Sequence, residues 1–172
     1  VAGLIVLAAG CTSYTIKYDY DPQEDFSAVN TFDFMPYPET ADTNELTFKR
    51  VVTATTNVLE AKGLTRTSDN PDVLIAVHTN AKDKVSVQSY GYSYAPYGYY
   101  WGGGGYWGGG GISTYEWQEG TLILDIVKAD DKELIWRGGA SRALPSSTTP
   151  EKTDKIINEA VSKILKKYPP KK

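Results

Sequence analysis

Residues 120–144, GTLILDIVKADDKELIWRGGASRAL, constrain the fold more than any other part of this chain of 172 residues. Two strand-like runs flank Asp130, Asp131 and Lys132, the pattern of an antiparallel hairpin. Strand side chains alternate between faces, so Leu122, Leu124 and Ile126 share one face and Asp125 stands on the other. Asp125 can pair with Arg137 or Arg142 on the neighbouring strand.

Other segments show the same two periodicities. YTIKYDY puts Tyr14, Ile16, Tyr18 and Tyr20 on one side of a strand. DPQEDFS makes a turn, about which Asp19, Asp21, Glu24 and Asp25 cluster and favour turn formation and solubility, and NTFDFMP is a second strand. DTNELTFKRVVTATTNVLEAKG reads as a helix with Phe48, Val51, Val52, Thr55, Val58 and Leu59 on one face and a left-handed cap at Gly63. NPDVLIAVHTN is apolar on both faces in its first half, which predicts a central strand. KVSVQSY extends it past a turn, and ISTYEWQ is a further strand. The last element, TPEKTDKIINEAVSKILKKYPP, is a helix with Thr149 as N-cap and Pro150 at its first position. Its apolar stripe runs through Ile156, Ile157, Ala160, Val161, Ile164 and Leu165. Hairpins outnumber regular strand–helix–strand repeats, so the expected class is α+β. A mostly antiparallel sheet carries two helices packed on one face, with a long Gly/Tyr/Trp-rich loop inserted between strands.

That loop, residues 89–111, holds Tyr90, Tyr92, Tyr94, Tyr97, Tyr99, Tyr100, Trp101, Tyr106 and Trp107 with ten of the sixteen glycines and no charge. Glycine loses the most backbone freedom on ordering, so the segment reads as a low-complexity insertion. Its Gly spacing lacks the following helix and the GK[ST] of a phosphate cradle, and it has no arginine for RNA. Uncharged Tyr and Trp suit a membrane interface, an envelope protein partner or the sugar rings of a cell-wall glycan.

The N-terminus, VAGLIVLAAGC, is an apolar run far below the ~20 residues of a spanning helix. Residues 1–10 read as the tail of a secretory signal. LAAGC, Leu7 to Cys11, resembles the lipobox of bacterial lipoproteins, with Ala8 where such boxes usually carry Leu. The resemblance implies lipidation at Cys11, a short tether over residues 11–13 and a single domain over 14–170. It also implies, from Thr12, sorting to the outer membrane, facing the periplasm.

YDPQEDFSAVNTFDFMP, LEAKGL, PDVLIAVH, the aromatic insertion, EGTLILDIVKADDKELIWRGGA and AVSKILKKYPP together resemble the bacterial lipoproteins grouped as domain of unknown function 4136. The resemblance implies an exported, lipid-anchored α+β domain and carries no catalytic residues.

One Cys and one His exclude an intramolecular disulfide and starve any Cys/His zinc site. His78 ends an alternating strand and reads as a packing residue. The turn acids lack the Gly and spaced Glu of a calcium loop. Net charge is −3, while residues from Pro150 onward carry seven lysines against three acids, which reads as a solvated helix face with no nucleic-acid partner. No catalytic constellation, metal or cofactor is expected. The expected protein is a lipid-anchored envelope module without enzymatic activity, or a glycan or peptidoglycan binder using the aromatic loop.

Overall fold

The structure is a computed structural model that describes residues 13–37, 44–81, 119–145 and 147–171. In chain order the elements are β1 (Thr15–Tyr20), β2 (Thr31–Phe34), α1 (Glu45–Ala61), β3 (Thr65–Arg66), β4 (Val73–Ala81), β5 (Glu119–Lys128), β6 (Leu134–Ala143) and α2 (Pro150–Leu165). The strands form one sheet in the order β1-β6-β5-β4-β2-β3.

The hairpin holds, with β5 and β6 antiparallel from Glu119↔Ala143 to Val127↔Leu134 and a register shift at Ile126/Val127. β4 is central, as its two apolar faces require, and pairs antiparallel with β5. Three of the five strand pairings are antiparallel, as a mostly antiparallel sheet requires, and the other two make the sheet mixed. β2 runs parallel to both β4 and β3, because α1 carries the chain back to the same end before the next strand begins. Asp72 locks the start of the parallel pair. Its carboxylate accepts from the backbone N–H of Asn30 at 2.9 Å and of Thr31 at 2.8 Å, while its own N–H donates to Thr31 Oγ1 at 2.9 Å. β3, two residues long, was not legible from periodicity. KVSVQSY, ISTYEWQ and the aromatic loop lie outside the described residues.

Both helices begin and end as their sequences dictate. Asn44 caps α1 by accepting from Leu46 N at 2.8 Å, and Gly63 takes a φ of +93° just past its end. Thr149 caps α2 with Pro150 at the first position. Arg50 of α1 reaches Asp154 of α2 at 2.6 Å.

One core cluster joins Val51, Ala54 and Leu59 of α1 and Ile157, Val161 and Ile164 of α2 to Ile75, Leu124, Ile126 and Trp136 of the sheet. Burial of each large apolar side chain stabilises by about 1.5–3 kcal/mol. The contact between α2 and β6 depends on a missing side chain. A Cβ at Gly138 would lie 2.7 Å from Ile164 Cγ2 and would also strike the Trp136 indole.

Replacing Gly138 by Ala is therefore expected to destabilise the protein by about 3 kcal/mol through overpacking against rigid groups. Gly63→Ala, strained by its positive φ but with nothing within 4 Å of the new carbon, should lose only about 1 kcal/mol. Urea denaturation of the two variants measures both, and equal losses would contradict the packing argument.

Candidate functional site

The residues singled out for lipidation and surface contact, Cys11 and Tyr90, Tyr92, Tyr94, Tyr97, Tyr99, Tyr100, Trp101, Tyr106 and Trp107, lie outside the described residues. What the structure does describe is a buried ion pair on one face of the sheet and a ring of polar contacts about Tyr14.

Asp125 sits in the middle of β5, opposite Ala76 of β4 and Arg137 of β6. Its side chain is fully buried, whereas those of Arg137 and His78 are each 19% exposed. Arg137 donates from Nε to Oδ1 and from Nη2 to Oδ2, each at 2.6 Å. His78 Nε2 lies 3.1 Å from Oδ2 and carries the donated proton if the carboxyl is ionised. Burial works to raise the Asp125 carboxyl, but the hydrogen bonds and charges of Arg137 and His78 together hold it below its ordinary value. The arrangement clasps β4, β5 and β6 through one carboxylate.

Of the two arginines open to Asp125 on sequence grounds, the structure selects Arg137. They are five positions apart, an odd interval, so a regular strand sends them to opposite faces. Arg142 lands on the helix side with Tyr14. Its Nη1 donates to the Tyr14 hydroxyl at 2.9 Å and its guanidinium lies 5.0 Å from the ring centroid. That hydroxyl is also 3.2 Å from the Ile156 carbonyl and from Glu159 Oε2. Burial, aided by Glu159, raises the phenol above its ordinary value against the opposing effect of Arg142.

The acids of the β1–β2 turn serve the turn. Asp21 accepts from Gln23 N at 2.8 Å, Asp25 from Ser27 N at 3.1 Å, and Glu24 pairs with Lys128 at 2.8 Å. Among the described residues no three or more His, Cys, Asp or Glu side chains gather to hold a metal, and no helix is long and apolar enough to cross a membrane. The partner of His78 was missed by sequence reasoning. The signal lay in parity, since His78 and Asp125 share a face once β4 is paired with β5 in this register.

The family model described as "Domain of unknown function (DUF4136)" matches residues 16–170. No curated protein sequence matches. A PDZ domain protein from Parabacteroides distasonis is similar in structure with a TM-score of 0.61 and 18% identity over 94% of this chain, which spans 38% of that protein's length. A PelC dodecamer from Paraburkholderia phytofirmans gives 0.48 and 11%, covering 89% of this chain and 95% of that one. A minor lipoprotein from Acinetobacter baumannii gives 0.43 and 11%, covering 80% and 91%. The first likeness is one of fold, and no conclusion rests on the other two.

Asp125→Asn removes the buried negative charge that Arg137 and His78 face and should destabilise by about 3 kcal/mol. Because the folded-state carboxyl is depressed, its ionisation stabilises above the unfolded value near pH 4, and that contribution is lost as pH falls through the folded value. Denaturation from pH 6 to 3 should thus fall less steeply in the Asn variant. An unchanged acid limb would show that the ion pair contributes nothing to acid stability.

Proposed function

This chain belongs to the DUF4136 family, and from that premise we propose that it is an envelope lipoprotein, acylated at Cys11. In this reading it is held on the periplasmic side of the outer membrane and works as a non-enzymatic structural or interaction module. The observation that carries the reading is a single row of the sheet. Thr15 pairs with Ser141, Ser141 with Thr121, and Thr121 with Asn80. The chain leading back to Cys11 leaves from this end of β1. β4 ends at Ala81 and β5 begins at Glu119, so the intervening residues, with all nine aromatic candidates, depart from and return to the same end.

Two residues, Thr12 and Ser13, separate Cys11 from Tyr14. At ~3.3–3.6 Å per residue that tether holds the sheet within about 10 Å of the lipid headgroups. Acyl chains supply the attachment, at about 0.8 kcal/mol for each buried methylene. The core shared by α1 and α2 supports placing both helices on one face of the sheet.

A second reading, glycan binding by the same loop, is favoured by its nine uncharged aromatic side chains. Deletion of residues 89–111 should abolish pull-down on purified cell wall if this is the task, and leave it unchanged if the domain binds only membrane or protein.

In a bacterial host, mass spectrometry of the mature N-terminus should find a lipid-modified Cys11. Cys11→Ser should shift the protein from the membrane to the soluble fraction. A free thiol at Cys11 in the wild-type protein would overturn the reading.

A further inference from the structure

We propose that the C-terminal half of α2 and the edge strand β1 form a basic, tyrosine-backed strip that rests on an anionic phospholipid surface. The proposal rests on the lipoprotein reading for where that surface lies.

The strip starts from helix periodicity. Lys163, Lys166 and Lys167 fall at i, i+3 and i+4, on one exposed face of the helix end, while Val161, Ile164 and Leu165 point into the core. Seating that core face brings Lys163 and Lys167 beside β1, which is the edge strand of the sheet among the described residues. Lys163 Nζ then lies 5.5 Å from the centre of the Tyr14 ring, and Lys167 Nζ 5.4 Å from that of Tyr18. Tyr18 itself is 45% exposed.

A solvated helix face would explain exposed lysines but not this seating. Two of the three ammonium groups, those of Lys163 and Lys167, lie over aromatic rings, which sets them at the rim of an amphipathic surface. Among the described residues none of the three lysines has a carboxylate partner. Glu159, the acid nearest along the helix, lies against the Tyr14 hydroxyl. Lys163 and Lys166 line an open groove together with Asn158 and Ser162, which add neutral donors, and with Glu159, the one acid in its wall. Ammonium groups with hydroxyl and amide donors match phosphate oxygens, and tyrosine matches the headgroup layer. Tyr14 is three residues from Cys11, so an anchored chain has this chemistry beside the bilayer before any partner arrives.

The test uses the full chain carrying Cys11→Ser, so that acylation cannot contribute. It is sedimented with vesicles of phosphatidylcholine alone and with vesicles containing phosphatidylglycerol, in low and high salt. Binding should require the anionic lipid and weaken with salt. Adding Lys163→Gln, Lys166→Gln and Lys167→Gln should weaken it by about 30-fold or more, with far-UV circular dichroism and melting temperature unchanged. Equal binding to both vesicles, or wild-type affinity in the triple variant, would overturn the proposal. So would loss of vesicle binding alongside retained binding to a soluble polyanion such as heparin, which would assign the strip to an acidic macromolecule. Failure of acylation at Cys11 in cells would strike the anchor reading and leave these vesicle measurements standing.

Discussion

α2 can approach β6 only because position 138 has no side chain, and the placement of nearly everything on that side of the molecule follows from this approach. The Trp136 ring folds toward Gly138 and meets Tyr168 edge-on at 5.4 Å. Tyr168 in turn meets Phe26 at 5.9 Å, and Phe26 meets Tyr20 of β1 at 6.1 Å. This relay of edge-to-face rings ties the end of α2 to the far end of β1. It buries the Tyr168 phenol, which is pushed up to about 12 by desolvation and the nearby Glu24 charge. Trp136 Nε1 finds no acceptor among the described residues, so ring packing must offset an unsatisfied donor. The same seating sets Lys163 over Tyr14, just before β1, and Lys167 over Tyr18 of β1.

The other face of the sheet is governed by charge. Removing Asp125 from water opposes folding by several kcal/mol, and only a two-pronged guanidinium with an imidazole beside it offsets so large a term. The result links three consecutive strands of the sheet through one side chain. It also imposes register, since a slip of one residue between β5 and β6 would carry Arg137 to the helix side and leave Asp125 facing Trp136 or Gly138.

Legibility in the sequence follows the reach of each physical signal. Alternation and helical stripes act over a few residues, so the β5–β6 hairpin, the central β4, the Gly63 cap and the Thr149–Pro150 start of α2 were all readable. Strand direction is a non-local property. Nothing within NTFDFMP distinguishes a parallel partner from an antiparallel one, and the β2–β4 pair is specified instead by Asp72 clamping Asn30 and Thr31 from forty-odd residues away. The choice between Arg137 and Arg142 was in the sequence all along, because parity alone separates them. The Tyr14 contacts with Ile156 and Glu159 were not, because they need the helix seated before they exist.

Parity, packing and tether length together bear on how an anchored domain would lie. Were the chain acylated at Cys11, a tether of two residues would permit the body to stand on the end where β1 begins or to lie along its β1 edge. Standing, it would lift Tyr18, four residues along the strand from Tyr14 at ~3.3 Å each, about 13 Å further from the headgroups. That exceeds the Debye length of ~8 Å in physiological salt, so Lys167 above Tyr18 would be largely screened. Lying on the edge brings Lys163, Lys166 and Lys167 to the surface together, at about 1 kcal/mol each on an anionic leaflet. The loss of Lys167 alone, about 1 kcal/mol, favours the edge by about fivefold. Attachment and orientation would then come from separate sources, the acyl chains fixing where the domain is and the lysine strip fixing how it faces.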